Sequence, residues 1–580
     1  MLARKKIISV LMLFISCSIL NAQVINDSQM IPSNHWIYTY FNRLEMETGK
    51  SLFTDNTPIS VAEARINLSK INKENLSMSG LELYKNIEDF LSTKKSLYTD
   101  GTFSADTGLD ITVEGYQKTN DDIPWDFDYN YNGSLVTVPL RFAFEDSITL
   151  ENHLFLEKNW FASQNSENFS NIPFKLNDIR FQFPDFAYGS YVLVFNDWGI
   201  SFHIGKQGRR IGFTETGSLV YNDTFETDMY SALSIFSPTF KYTLDVSQVS
   251  YDQFLYMHQV QGVLFSKLKL TYLQAAMIND GFALRQINPM MVMHSFMGNF
   301  ENYEPWEKEY YNESDVCAYL GLMFDYYPVK RLRVYGSYVQ TELQVPSERH
   351  GAYYALPNGL GGQFGVSYYL PSDNNSSSTI NVETVYTTPY LYIKQTPRTS
   401  LVRLRYTSEL LAPSSQTPVA TWIGTPFGPD CFAVNSSYEY EVFQKWSVKA
   451  NYLLKIHGEN NASMLNDRNE TNPNYIILDS VTDRDGTEHP QKIYNYYPFA
   501  KYKLATNDAE RENAINEALD LWMSGIPEYE HQIAVSGKYI VNDNLSFSGL
   551  FAYDIFFNCN NIIDNFQTGF EAILSRIYKF

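Results

Sequence analysis

The sequence predicts an all-β protein: a closed antiparallel transmembrane β-barrel of about 18 strands carrying a small N-terminal α-helical module. Three observations predict it. Apolar and polar residues alternate over runs of about ten residues through most of the chain. The connections between those runs are either very short or very long. Finally, the 580 residues include 43 Tyr and 39 Phe, while only 19% are charged, below the ~25% of an ordinary globular chain. This aromatic content excludes disorder. A net charge of −21 argues against nucleic acid, whose phosphates need a basic face.

The first residues read as an export signal. Arg4, Lys5 and Lys6 precede an apolar stretch from Ile7 to Ile15, and small and polar residues lead to Ala22-Gln23. Residues 1–22 are therefore expected to be a cleaved signal peptide; Cys17 as a lipidated start is the alternative. Cys317, Cys431 and Cys559 then remain, too far apart for a disulfide framework or a zinc site, and are expected to be structural. Beyond the signal no apolar run reaches the 18 or so residues of a membrane-crossing helix.

Residues 23–97 read as helical. Trp36, Ile37, Tyr40, Phe41 and Leu44 share one helical face that stops before Gly49. Ser60 with Glu63 forms a capping box that opens Val61 to Ile71, and Ser79 with Glu82 forms a second box opening a helix that carries Leu83, Ile87, Phe90 and Leu91. The expected product is a compact module capping the barrel from the periplasm.

From residue 109 to 580 the period becomes two. Val448, Ala450, Tyr452, Leu454 and Ile456 alternate with Lys449, Asn451, Lys455 and His457. Leu332, Val334, Gly336 and Tyr338 stand opposite Arg331, Arg333, Tyr335 and Ser337. The same pattern runs through Val316 to Tyr326, Val402 to Tyr406 and Leu545 to Tyr553. Soluble strands average about five or six residues, whereas a bilayer demands ~9–11. In lipid, strands must also close into a barrel to satisfy their edges. Pro328-Val329-Lys330, Gln444-Lys445 and Asn542-Asp543-Asn544 are tight turns, while 277–314, 341–361, 458–492 and 504–528 are long loops. The last should hold a helix capped by Asn507, with Ile515, Ala518, Leu519 and Trp522 on its apolar face.

No catalytic, cofactor or metal motif stands out, so the chain reads as a non-enzyme without cofactor. The Gly205-Lys206-Gln207-Gly208-Arg209-Arg210-Ile211-Gly212 cluster sets Lys206, Arg209 and Arg210 among four glycines. It suits an anionic sugar or a lipopolysaccharide phosphate, or else a pore wall where the cations meet carboxylates. Trp422, Trp306 and Trp522 suit either sugar stacking or an aromatic girdle at the membrane interface.

The order of segments resembles the Wzi-type capsule assembly family. Ile204-Gly205-Lys206-Gln207 leading to Gly212, Ile287-Asn288-Pro289-Met290, and Trp422-Ile423-Gly424-Thr425-Pro426-Phe427-Gly428-Pro429-Asp430 carry the likeness. It implies an outer-membrane barrel of a diderm bacterium that holds capsule or related polysaccharide and works among lipid and lipopolysaccharide. Phe580 and Tyr578 on an alternating last strand resemble the closing strand that the barrel-assembly machinery reads. Pro32-Ser33-Asn34-His35-Trp36 with Pro58-Ile59-Ser60-Val61-Ala62-Glu63-Ala64 resembles a single S-layer homology motif, of the kind that holds cell-wall polymers. The alternatives are a general porin or uptake channel, because inward Arg and Lys also suit a pore, and an adhesin or assembly factor.

Overall fold

The computed structural model describes residues 26–580 except 93–97, 121, 124–132, 159–169, 180–185, 223–226, 251–252, 279–281, 283, 290–315, 373–374, 396, 398, 410–411, 466–474 and 483–487. The expected signal peptide, Met290 and Trp306 lie outside the described residues, as do the side chains of 404–419 and 475–494.

Eighteen antiparallel strands form a closed up-and-down wall running from Asp110–Lys118 to Gln567–Lys579. The first strand has an earlier piece, Phe103–Thr107. Thr107↔Leu140 and Asp110↔Thr137 keep one register against Val136–Phe144, so the wall begins six residues before the sequence places it. The seam closes where Lys579 pairs with Asp110 and Glu571 with Lys118. Phe580 N donates to Leu109 O at 2.9 Å, and Leu109 N donates back to Phe580 O at 3.1 Å.

Alternation fixes which side chains meet lipid, because successive residues of a strand point to opposite faces. In Trp446–His457, Lys449 and Lys455 reach inward to Glu215 and Glu530. Val448 and Tyr452 stand on the outer face, over 40% exposed or close to it, as do Leu322, Phe364, Val382 and Ile533 further round the wall. Exposed apolar side chains in such a band would aggregate in water and are stable against acyl chains. Arg576 interrupts the band near the seam, where its guanidinium lies over Phe547 and Tyr578, ring centroids at 5.3 and 4.5 Å, and snorkels towards the interface.

The alternation at Val402 to Tyr406 misleads. Val402–Glu409 pairs only with Ala412–Trp422, in a hairpin outside the wall. Two-residue periodicity reports any half-buried strand, so a loop hairpin mimics a spanning one.

At the N-terminus three helices form as expected: α1 (Ile37–Thr48), α2 (Val61–Ser69) and α3 (Met78–Ser92). Gly49 ends α1 with φ 67°, a left-handed cap that glycine adopts without a Cβ penalty. Ser60 Oγ accepts from Glu63 N at 3.2 Å, but the Glu63 carboxylate does not return to the cap; it reaches Lys241. The second box is not made. Gly80 N donates to Ser77 Oγ at 3.1 Å, while Ser79 Oγ donates to Ser376 O at 3.0 Å. Tertiary contact with the wall has taken Ser79 from its local role. The module fills the short-turn end, where Ile37, Phe41, Leu44 and Ile87 pack on Tyr327, Tyr369 and Phe443 of the wall.

Candidate functional site: the filled lumen

Three loop segments fold into the barrel. Residues 211–222 follow the strand Trp198–Lys206, 390–395 and 399–402 follow Ser376–Thr387, and 422–430 follow the hairpin that ends at Trp422. Their apolar side chains (Leu219, Val220, Leu391, Ile393, Trp422 and Ile423) are buried against inward wall residues such as Leu273, Met277, Tyr319 and Val385. Backbone hydrogen bonds join the segments: Asn222 N to Ile423 O at 2.8 Å, Ile423 N to Leu401 O at 3.0 Å, Leu401 N to Tyr392 O at 2.8 Å. Buried backbone polar groups need partners, and here three loops satisfy one another.

The glycine-rich run 422–430 is legible in this light. A Cβ at Gly424 would lie 2.2 Å from the Tyr392 hydroxyl, and one at Gly428 would lie 2.2 Å from the Trp422 indole nitrogen. Gly428 also adopts φ 74°, so both glycines are needed for close approach. Asp430 then ties the loops together. Its carboxylate accepts from Ser524 N at 2.9 Å and from Asn460 N at 3.1 Å, and Ser524 Oγ donates to it as well. Burial pushes the Asp430 carboxyl up, against those donors.

The structure separates the cations that the sequence places side by side. Lys206 pairs across to Ala187 and Met229 at the loop end of the wall, in the outward phase of its strand. Arg209 turns inward and is buried: it pairs with Asp245, donates to Ser247 Oγ at 2.7 Å, and lies 4.0 Å from the Tyr230 ring centroid and 4.3 Å from that of Tyr221. Arg210 is half-buried, where Arg210–Ile211 pairs with Asn56–Thr57 of the module. Trp422 is 6% exposed beside Tyr392, ring centroids 6.0 Å apart. Trp522, by contrast, is half exposed and lies over Tyr386 and Phe432, in the outward phase of their strands, as a girdle residue would.

Several residues that shape this interior escape sequence reading. Arg403 is fully buried; it donates to Asp228 at 2.8 Å and to Trp422 O at 3.0 Å, and lies 4.9 Å from the Tyr221 ring centroid, so Arg209 and Arg403 both lie over Tyr221. Glu383 gathers Tyr335 at 2.6 Å, Glu215 N at 3.0 Å and Gln363 at 3.0 Å. Single charged residues on alternating strands carry no signal of their partner. Over the loop end, α4 (Pro498–Leu504) and α5 (Asp508–Leu519) pack together through Tyr502, Ala514 and Ala518, with Ala355 from the turn Gly351–Ala355. Asn507 caps α5 by accepting from Glu510 N at 3.0 Å. Leu519 remains half exposed, so α5 covers the mouth and does not plug the lumen. Among the described residues no group of three His, Cys, Asp or Glu is placed to hold a metal, and the three cysteines are free and buried.

No family model matches the chain, and no curated protein matches it. Among solved structures it is similar to Wzi, described as an outer membrane protein involved in group 1 capsule assembly in Escherichia coli and a carbohydrate-binding β-barrel. That likeness has 10% identity and a TM-score of 0.51, and covers 94% of this chain and 99% of that one. A second match, the outer membrane protein OprD from Pseudomonas aeruginosa, has 10% identity and a TM-score of 0.34 over 82% of this chain and 94% of that one. At such identities the likeness speaks to architecture: the chain has the fold of an outer-membrane β-barrel.

Proposed function

We propose that this protein is a non-enzymatic outer-membrane barrel that holds surface or capsular polysaccharide at the cell. Its short turns and module face the periplasm and its long loops face outward, following the usual asymmetry of such barrels. The filled lumen carries the reading. A diffusion channel needs a water-filled interior; here loop segments 211–222, 390–395, 399–402 and 422–430 occupy the interior as an apolar core, and the module occupies the turn end. The likeness to a carbohydrate-binding barrel supports the choice of ligand. Export through a cleaved signal peptide at 1–22, and assembly read from Phe580 and Tyr578 at the seam, complete the proposal. Lys206, in the outward phase at the loop end of the wall, is our candidate for contact with a lipopolysaccharide phosphate, a contact worth only about 0–1 kcal/mol near the surface.

Two measurements test it together. Purified protein in planar bilayers should conduct little or not at all. Cells lacking the protein should shed polymer into the medium, and cells regaining it should hold polymer again. Large steady channels from the intact chain, with polymer retention unchanged by its loss, would replace this reading with the porin one.

A further inference from the structure

The lumen is filled unevenly. The module covers the wall around Tyr327, Tyr369 and Phe443. At the turn end of Trp446–His457, Glu528–Asn542 and Gln567–Lys579, inward residues such as Ser447, Ser536 and Ser575 are only half-buried, and Lys538 and Lys579 are exposed. Between α1 and this wall lies a cavity of about 160 Å³, lined by Trp36 and Tyr40 on one side and by Glu441, Ser447 and Lys538 on the other. A cavity of ~150 Å³ accommodates a six-membered ring.

The charge around this cavity is unusual for so acidic a chain. Glu439 and Glu441 share Arg43, whose Nη2 is 3.1 Å from Glu439 and whose Nη1 pairs with Glu441, so that with Lys445 and Lys538 three cations stand against two carboxylates at the cavity. Lys445 and Lys538 at the cavity, and Lys579 in the inward phase of the last strand, close no ion pair among the described residues. Elsewhere in the lumen inward cations meet carboxylates, as Lys241, Lys269 and Lys455 do. His35, next to Trp36, is pushed down to about 4, by burial first and then by Lys579 and Lys538. The imidazole therefore stays neutral, and Lys538 lines the mouth. A half-buried indole beside hydroxyl groups suits a sugar ring, and unpaired ammonium groups suit an anion.

We propose that this turn-end mouth binds an acidic saccharide unit, with its ring against Trp36, its hydroxyls at Ser447, and its carboxylate or phosphate held by Lys538, with Lys445 and Lys579 extending the same charge. This deepens the polysaccharide-holding reading and rests on it for the ligand class. It adds a second point of contact, at the turn end of the barrel.

Calorimetry on the purified full chain tests it, with tetragalacturonate as acidic probe, maltotetraose as neutral control and inorganic phosphate as free anion. Tetragalacturonate should bind at least fivefold tighter than maltotetraose. Lys538→Gln should weaken it at least fivefold, and Ser447→Trp, which fills the cavity while keeping every charge, should do the same. Uronate binding that survives both substitutions, its absence in the wild type, or equal binding of phosphate would each overturn the site. Failure of the broader reading appears separately, as open conductance in planar bilayers and unchanged polymer retention.

Discussion

The two ends of the lumen are closed by different physics. At the turn end the module is held to the wall by buried ion pairs: Glu63 with Lys241, Asp55 with Lys269 at 3.0 Å, and Arg43 with Glu439 and Glu441. Towards the loop end the closure is chiefly apolar, with Leu219, Leu391, Ile393 and Ile423 at 0–1% exposure and backbone hydrogen bonds running from loop to loop. The loops are continuous with the strands they leave, so their position is largely set once the wall forms. The module precedes the wall in the chain and meets it chiefly through side-chain contacts. Ion pairs contribute little net stability after desolvation, yet they penalise every wrong seat. Orientation is thus specified at one end and cohesion is supplied at the other.

The largest expected effect lies in the ionic seam. Lys269 is 2% exposed between Asp55 and Asp325, and Lys269→Met leaves the buried Asp55 without its cation, while Asp325 keeps Arg333. Removing one member of such a pair costs about 3–5 kcal/mol, and adding Asp55→Asn should restore part of it. Thermal unfolding in detergent, with protease release of the module as a second readout, checks both. A loss below 1 kcal/mol would show that the module is seated by its apolar core alone. The apolar seam comes next. Ile423→Ala should cost about 2–5 kcal/mol through lost burial and the cavity left behind, and it should raise conductance, because the plug and not the module is loosened. If Lys269→Met opens the channel more than Ile423→Ala does, the division between the two ends fails.

The sequence reveals these parts unequally. The wall was legible because lipid forces a repeat of two over ten residues, and Tyr452 and Lys449 fall on the faces their alternation predicts. The module's helices were legible from Gly49 and Ser60, whose caps are local. The role of Ser79 is hidden because its partners, Ser372 and Ser376, lie nearly three hundred residues away. The same distance hides Arg209 and Arg210: adjacent in sequence, they point to Asp245 and to the module strand. A cation cluster reads as a surface patch until the fold shows its members pointing different ways. The run ending at Asp430 was recognisable as unusual, and its physical reason appears only when Tyr392 and Trp422 are brought against its glycines.

The outer wall supplies a control for both seams. Tyr452→Lys places a charge on the lipid face at a cost of about 2–4 kcal/mol near the midplane, and heat-modifiable gel mobility should show failed assembly. Lys449→Gln on the opposite phase removes a contact with Glu215 at 2.6 Å but keeps a polar lumen residue, so assembly should be normal. Equal behaviour of the two variants would show that the seams were compared within a wrongly assigned wall.

The smallest effect concerns pH at the turn end. Glu45, on the inner face of α1, accepts from Leu52 N at 2.5 Å, and burial pushes its carboxyl up to about 7 although Lys269 opposes the rise. In the unfolded chain the same group titrates near ~4.3. A folded value above the unfolded one means that the native module prefers the protonated form. The stabilisation is then fully present below the unfolded value and is lost as pH rises through the folded one. The seating of the module should therefore weaken between about pH 4.3 and 7 on account of Glu45. His35 acts in the opposite sense: its value is depressed to about 4, so its neutral form is favoured and stability falls as pH drops below ~6.5. Glu45→Gln keeps an acceptor for Leu52 N and cannot ionise. It should leave module release unchanged at pH 5 and slow it at pH 8, while conductance through the apolar seam stays as in the wild type at both. Protease release measured across that range checks the sign, and a variant that destabilises most at pH 8 would show that Glu45 is held ionised by Lys269 as part of the ionic seam.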